Sequence, residues 1–179
     1  KTIRFYDQDP SEVAPHKEVN KLISDLNSGK IKLLVIDDSN PVYALPPSME
    51  FIKAMQKAFV VSIASQRSET THAANLVMPA LTAYESWGDA NPRSGVRSIQ
   101  QPVMSPVNVF DAKAREDIML NAVHNANKNA FSGMTTYLEF LQNKWRKIHS
   151  EIGNSDNFEN FWISVLENGG LFQKPEFSR

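Results

Sequence analysis

The chain has 179 residues, 41% hydrophobic and 22% charged, enough for one ordinary domain with its own core and cramped for two. Lys and Arg number 19 against 20 Asp and Glu, so the formal net charge of −1 supplies no general field to gather nucleic acid or anionic lipid. The absence of cysteine excludes disulfides, thiol nucleophiles and cysteine-held iron–sulfur clusters from this chain. The richest apolar runs, Phe59–Ala64 and Leu76–Leu81, fall far short of the roughly 18–20 residues of a membrane span.

Lys1 stands first, with no initiator Met and no basic-then-apolar leader, which reads as a mature product or a piece of something longer. Residues 1–16, with Asp7, Asp9, Pro10 and Pro15, carry no sustained period and read as an irregular lead-in. Val19, Leu22, Ile23 and Leu26 then fall at i, i+3, i+4, i+7 before Gly29, predicting an amphipathic helix over 17–28. Lys32–Asp37 (KLLVID) reads as a short buried strand, ended by the turn chemistry of Asp38-Ser39-Asn40-Pro41.

Pro46-Pro47-Ser48 opens a second helical pattern carrying Phe51, Ile52, Met55 and Ala58, and Phe59–Ala64 (FVVSIA) is a second apolar strand. Strand, helix and strand within about 35 residues is the size of a βαβ unit with parallel strands. Ligands of open parallel sheets sit beyond the carboxyl ends of the strands, here Asp37–Pro41 and Ser65–Thr70.

Between 76 and 112 four prolines, Pro79, Pro92, Pro102 and Pro106, with Gly88 and Gly95, leave room for short extended pieces joined by turns; Val96–Gln101 is the best strand candidate. Helical periods return near 114–128, through Ile118, Met119, Ala122, Val123 and Ala126, and near 134–152, through Leu138, Leu141, Trp145, Ile148 and Ile152. A last helix is predicted over 157–168, with Asp156 and Glu159 at capping-box spacing and Gly169-Gly170 as its stop. Its aromatics, with Tyr137, Phe140 and Trp145, read as core or interface anchors.

The acid pair Asp37-Asp38 at a strand end can hold Mg²⁺ or accept a phosphoryl group, and three readings compete for it. A dehalogenase-like nucleophile wants a second acid at Ser39. A response-regulator receiver fits LLVIDDSN, with the segment from Asn75 to Pro79 in the place of its acceptor strand, but Asn75 cannot take a phosphoryl group. A solvated strand end with Asp38 or Ser39 capping a turn is the plainest reading. His16, His72, His124 and His149 show no metal spacing, and no nucleophile elbow or phosphate loop is present. In Ser65-Gln66-Arg67-Ser68-Glu69-Thr70, hydroxyls, an arginine and helix N–H groups would converge on an anion; the plain alternative is a helix start with Ser68 as N-cap.

Taken together, LLVIDDSNP, FVVSIASQRSETTHAANLVMPA and ESWGDANPRSGVRSIQQPVMSP resemble the cofactor-embracing domain of the molybdopterin oxidoreductases related to dimethyl-sulfoxide reductase. Asn40-Pro41 matches that family's Asn-Pro turn, Glu69-Thr70 its Glu-Thr pair, and Ala74–Ala80 its Ala-Asp-Val-Val-Leu-Pro-Ala run, with Asn75 for Asp. Glu85, Gly88 and Gly95 keep the next block recognisable, and the match spans residues 17–125. The wording is most similar to the iron–sulfur subunit of alternative complex III, as is FENFWISVLENGG.

The resemblance implies an α/β fold: a Rossmann-like parallel sheet with helices on both faces over 17–112 and a helical C-terminal extension over 113–179. It implies a fragment of a large respiratory oxidoreductase in a membrane-associated complex on the extracytoplasmic side, whose partners are the remaining domains of the polypeptide and the other respiratory subunits. Its cofactor would be molybdopterin guanine dinucleotide, with candidate cofactor-binding residues Asp38, Ser39, Asn40, Pro41, Ser65, Gln66, Arg67, Ser68, Glu69 and Thr70. The sequence departs where that cofactor's partners belong: Ala64 stands near the family's guanine-binding acid, Pro92 near its Asn and Val96 near its Arg. A domain that kept the fold and lost the cofactor follows from these departures, with no catalytic residue, metal ligand or iron–sulfur cluster of its own. The alternative is a degenerate receiver-like module that docks a protein.

Overall fold

The computed structural model describes residues 16–93, 95–107, 110–153 and 157–173. The lead-in up to residue 15, Ser94 and the cap candidate Asp156 lie outside them. The protein is mixed α/β and divides into two compact units, one of residues 16–81 and 110–115, the other of 82–107 and 116–173. The Pro-rich stretch after residue 82 thus belongs with the C-terminal helices.

In the first unit, α1 (His16–Asn27) leads to β1 (Leu33–Asp37), α2 (Pro41–Ala44), α3 (Phe51–Met55), β2 (Phe59–Ala64), α4 (Glu69–Ala73) and β3 (Leu76–Pro79). The helix expected after Pro46 is broken up. Pro41 starts α2, a 3₁₀ turn covers Pro47–Met49, and Glu50 in the left-handed region (φ 49°) separates it from α3. The Pro46-Pro47 pair separates α2 from the 3₁₀ turn, since each proline pushes the residue before it towards extended backbone: Leu45 has ψ 143° and Pro46 ψ 138°.

The strands are parallel in the order β1-β2-β3, with Leu33 opposite Phe59 and Val61 opposite Leu76. Ala80 makes one further parallel bridge, to Lys113. Ile36 and Val60 pack with Leu26, Phe51, Ala54 and Met55, so the helices cover one side of the sheet. On the other side Leu33 is 57% and Phe59 51% exposed, with Val35 and Leu76 also exposed, while Ile63 at the carboxyl end of the same face is buried. The buried strand expected at 32–37 is therefore covered on one face, and helices on both faces are not seen among the described residues. An order that never reverses explains this, because crossovers of one hand all pass over the same face.

The second unit holds the antiparallel sheet β4 (Gly88–Arg93), β5 (Val96–Gln100) and β6 (Gly170–Phe172), with β5 central, together with α5 (Arg115–Ala126), α6 (Tyr137–Glu151) and α7 (Phe158–Asn168). Arg115, the first residue of α5, belongs to the first unit. The register slips between Ala90 and Arg93, so Pro92 sits at an irregularity of an edge strand, where its missing N–H costs no ladder bond. Thr136 and Glu139 form a capping box on α6, and α7 is capped by Asn157, whose side chain accepts from the Asn160 N–H. Leu141, Trp145, Ile148, Phe161, Trp162 and Val165 form the core with Ile99, as the aromatic spacing predicted.

Gly170 does more than stop α7. Its φ of +145° and its place against β5 leave no room for a side chain: a Cβ would lie 2.2 Å from the Arg97 carbonyl oxygen.

Candidate functional site

The parallel sheet brings the carboxyl ends of β1 and β2 side by side, since Asp37 pairs with Ile63. The two segments singled out in the sequence meet there through specific hydrogen bonds. Asn40 Oδ1 accepts from the Thr70 N–H (3.2 Å) and from Thr70 Oγ1 (2.8 Å), and Asn40 Nδ2 donates to Glu69 Oε2 (2.7 Å). Thr70 is fully buried, and its hydroxyl in turn accepts from the Val42 N–H at 3.2 Å. The Asn40 amide, aided by Glu69's own N–H, holds the Glu69 carboxyl below the usual carboxylate range.

A second cluster surrounds Asp38, whose backbone is left-handed (φ 39°). Its Oδ1 accepts from Ser65 Oγ at 3.2 Å, and its Oδ2 pairs with Arg115 Nη1 at 3.3 Å. Arg115 also lies 4.0 Å from Asp37, whose carboxyl is pushed up by burial, opposed by Arg115 and reinforced by the Asp38 charge. Asp38 therefore ties the end of β1 to the end of β2 instead of capping its own turn. Ser39 is exposed and its side chain has no hydrogen-bond partner among the described residues, while Pro41 supplies the first position of α2.

Ser68 caps α4 as the sequence suggested, in a reciprocal box with Thr71. Two of the N–H groups that open α4 are engaged internally: that of Thr70 by Asn40, and that of Thr71 by Ser68 Oγ at 3.3 Å. An anion at this helix start would have to displace side chains already bonded there.

Ser65, Gln66 and Arg67 instead line a cavity of about 430 Å³ at the carboxyl edge of β2 and β3. Thr71 and His72 complete its polar side, and Ala64, Val77, Pro79 and Phe110 form apolar walls. The sequence singled out the loop after β2 but missed His72, Val77, Pro79 and Phe110. It also missed Arg115, which reaches Asp38 from 77 positions away, a separation no local period can signal.

Asn75 lies at the opposite edge. It precedes β3, accepts from the Val60 N–H through Oδ1 at 2.8 Å and donates its own N–H to the Val60 carbonyl at 2.9 Å. It extends the β2–β3 pairing and is not beside Asp37 and Asp38, as the receiver reading requires. Among the described residues no group of three His, Asp or Glu is placed to hold a metal ion, and no helix is long and apolar enough to cross a membrane.

No family model and no curated protein matches the chain.

Proposed function

We propose that this chain is one domain of a large respiratory electron-transfer oxidoreductase of the molybdopterin-oxidoreductase kind, a Rossmann-like domain that has kept its scaffold and lost the cofactor. The observation that carries this reading is the set of bonds from Asn40 to Glu69 and Thr70. The resemblance rests on an Asn-Pro turn and a Glu-Thr pair 29 residues further on, and these lock to each other at the carboxyl edge of a parallel sheet. Loss of the dinucleotide is supported by the engaged Thr70 and Thr71 N–H groups of α4, which leave the cofactor's phosphates fewer free donors at that helix start. Asp38 is likewise engaged by Ser65 and by Arg115.

In this reading the domain works by packing against the remaining domains of its polypeptide and the other subunits of a membrane-associated complex on the extracytoplasmic side. Electron transfer belongs to clusters held elsewhere. The exposed Leu33, Val35, Phe59 and Leu76 on one face of the parallel sheet are in keeping with that role, because parallel sheets are ordinarily covered on both sides. Metal and pterin analysis of the intact polypeptide tests the proposal: less than one-tenth of an equivalent of molybdenum is expected, and a stoichiometric amount refutes cofactor loss. Cysteine-rich cluster spacing upstream in the same reading frame is expected as well, and a short gene beside a histidine kinase would sink the oxidoreductase assignment.

A further inference from the structure

The cavity beyond β2 and β3 has an unusual balance of spent and unspent groups. Of its hydroxyls, Ser65 Oγ is bonded to Asp38 and Thr71 Oγ1 to the Ser68 carbonyl at 2.8 Å. Arg67 and Gln66 are exposed at the cavity, and neither side chain has a hydrogen-bond or ion-pair partner among the described residues. His72 is oriented: its Nδ1 lies 2.9 Å from the Ser68 carbonyl oxygen, which can only accept, so Nδ1 carries the proton and Nε2 is the nitrogen left over.

The rest of the lining is apolar. Phe110 is 76% exposed and stacks on no other ring among the described residues, yet it lines the cavity with Val77 and Pro79. A free guanidinium, an amide and an oriented imidazole in one cavity with an aromatic ring complement a flat organic anion. The volume of about 430 Å³ lies within the range of small-ligand sites. One guanidinium fork suits one carboxylate, which it can meet with two parallel hydrogen bonds.

We propose that this cavity binds a small aromatic carboxylate, its anion on Arg67 and its ring against Phe110. The inference goes beyond the domain reading above and does not rest on it. Stoichiometric molybdenum would overturn that reading and leave this one standing, and absence of binding here would do the reverse.

The test is titration of the ¹⁵N-labelled 179-residue chain with 2-naphthoate, followed by amide shifts, with 2-naphthamide and acetate as single-feature controls. Saturable shifts are expected at Ala64–Arg67, His72, Val77 and Phe110, with a dissociation constant of about 0.1–1 mM for so open a site. Arg67→Gln should weaken binding about tenfold, and Arg67→Lys by less because the charge stays while the fork is lost. Phe110→Ala should weaken it about three- to tenfold. Both side chains are exposed, so an unchanged spectrum away from the cavity serves as the folding control. Naphthamide or acetate binding as well as naphthoate, shifts that map elsewhere, or indifference to Arg67→Gln would each overturn the proposal.

Discussion

Replacing Asn40 by Ala removes the acceptor of two Thr70 donors at a place that water does not reach. The Thr70 N–H and hydroxyl both end on Asn40 Oδ1, and Thr70 is 0% exposed. A buried N–H left without an acceptor costs about 1–3 kcal/mol. The hydroxyl loses less, because it still accepts from Val42 and can turn, so about 1 kcal/mol is its share. The sum of about 2–4 kcal/mol is a large part of the roughly 5–15 kcal/mol that holds a typical domain together. It corresponds to a roughly 30- to 900-fold rise in the population of the opened sheet.

Amide exchange of Val60 and Ile63, on the central strand, reads that opening directly. All three tryptophans, Trp87, Trp145 and Trp162, belong to the other unit, so tryptophan fluorescence reports collateral damage there. The same variant should let the Glu69 carboxyl rise towards its ordinary range, since the Asn40 amide is the main cause of its depression. Asn40→Asp separates the acceptor from the donor. It keeps an oxygen for Thr70 but sets a carboxylate against Glu69 Oε2, so it should be unstable at neutral pH and recover as acid protonates the pair. A loss below about 0.5 kcal/mol for Asn40→Ala, with Glu69 titrating unchanged, would refute the claim that this lock holds the two segments together.

Asn75→Ala should cost about 1–2 kcal/mol in denaturant unfolding, because the Val60 N–H beneath it is buried, whereas Asn75→Asp keeps the acceptor and should stay within about 0.5 kcal/mol. Gly170→Ala should cost at least about 3 kcal/mol and disrupt the β5–β6 pairing seen by tryptophan fluorescence, because its Cβ meets rigid backbone; Gly169→Ala, with φ 73° and open space, should cost about 1 kcal/mol. Asp37→Asn should stabilise the protein at neutral pH by less than about 1 kcal/mol, since the carboxylate is half in water. The sign follows from linkage: a carboxyl raised by the fold keeps its proton to higher pH in the native state, so the wild type loses stability as pH rises through the window above the ordinary carboxyl range. The gain from Asp37→Asn should therefore vanish in acid; a gain independent of pH between 3 and 8 would contradict this account.

Much of the secondary structure was legible in the sequence, because it depends on neighbours three or four positions apart. The 3.6-residue period places α1, α5, α6 and α7 within a few residues of their bounds, and Ser68 caps α4 as its position suggests. The apolar runs mark β1 and β2, and a chain that alternates them with helices has few folds besides a parallel sheet. The break-up of the helix after Pro46 escaped the period because the extended Leu45 and Pro46 and the left-handed Glu50 are features of backbone angles, which hydrophobic spacing does not report.

What only the tertiary structure decided lies between residues far apart in the chain. The strand order β1-β2-β3 puts both crossovers on one side, which leaves Leu33 and Phe59 bare, and the same apolar residues would be buried in a sheet whose order reversed. The carboxyl edge of that sheet joins Asn40 to Thr70 across 30 positions and Asp38 to Arg115 across 77. Those contacts, not the loop after β2 alone, turn the residues named from the sequence into a closed polar lock on one side and an open cavity on the other. A side chain's hydrogen-bond partner is set by the register of strands and the packing of helices, and these are properties of the whole chain.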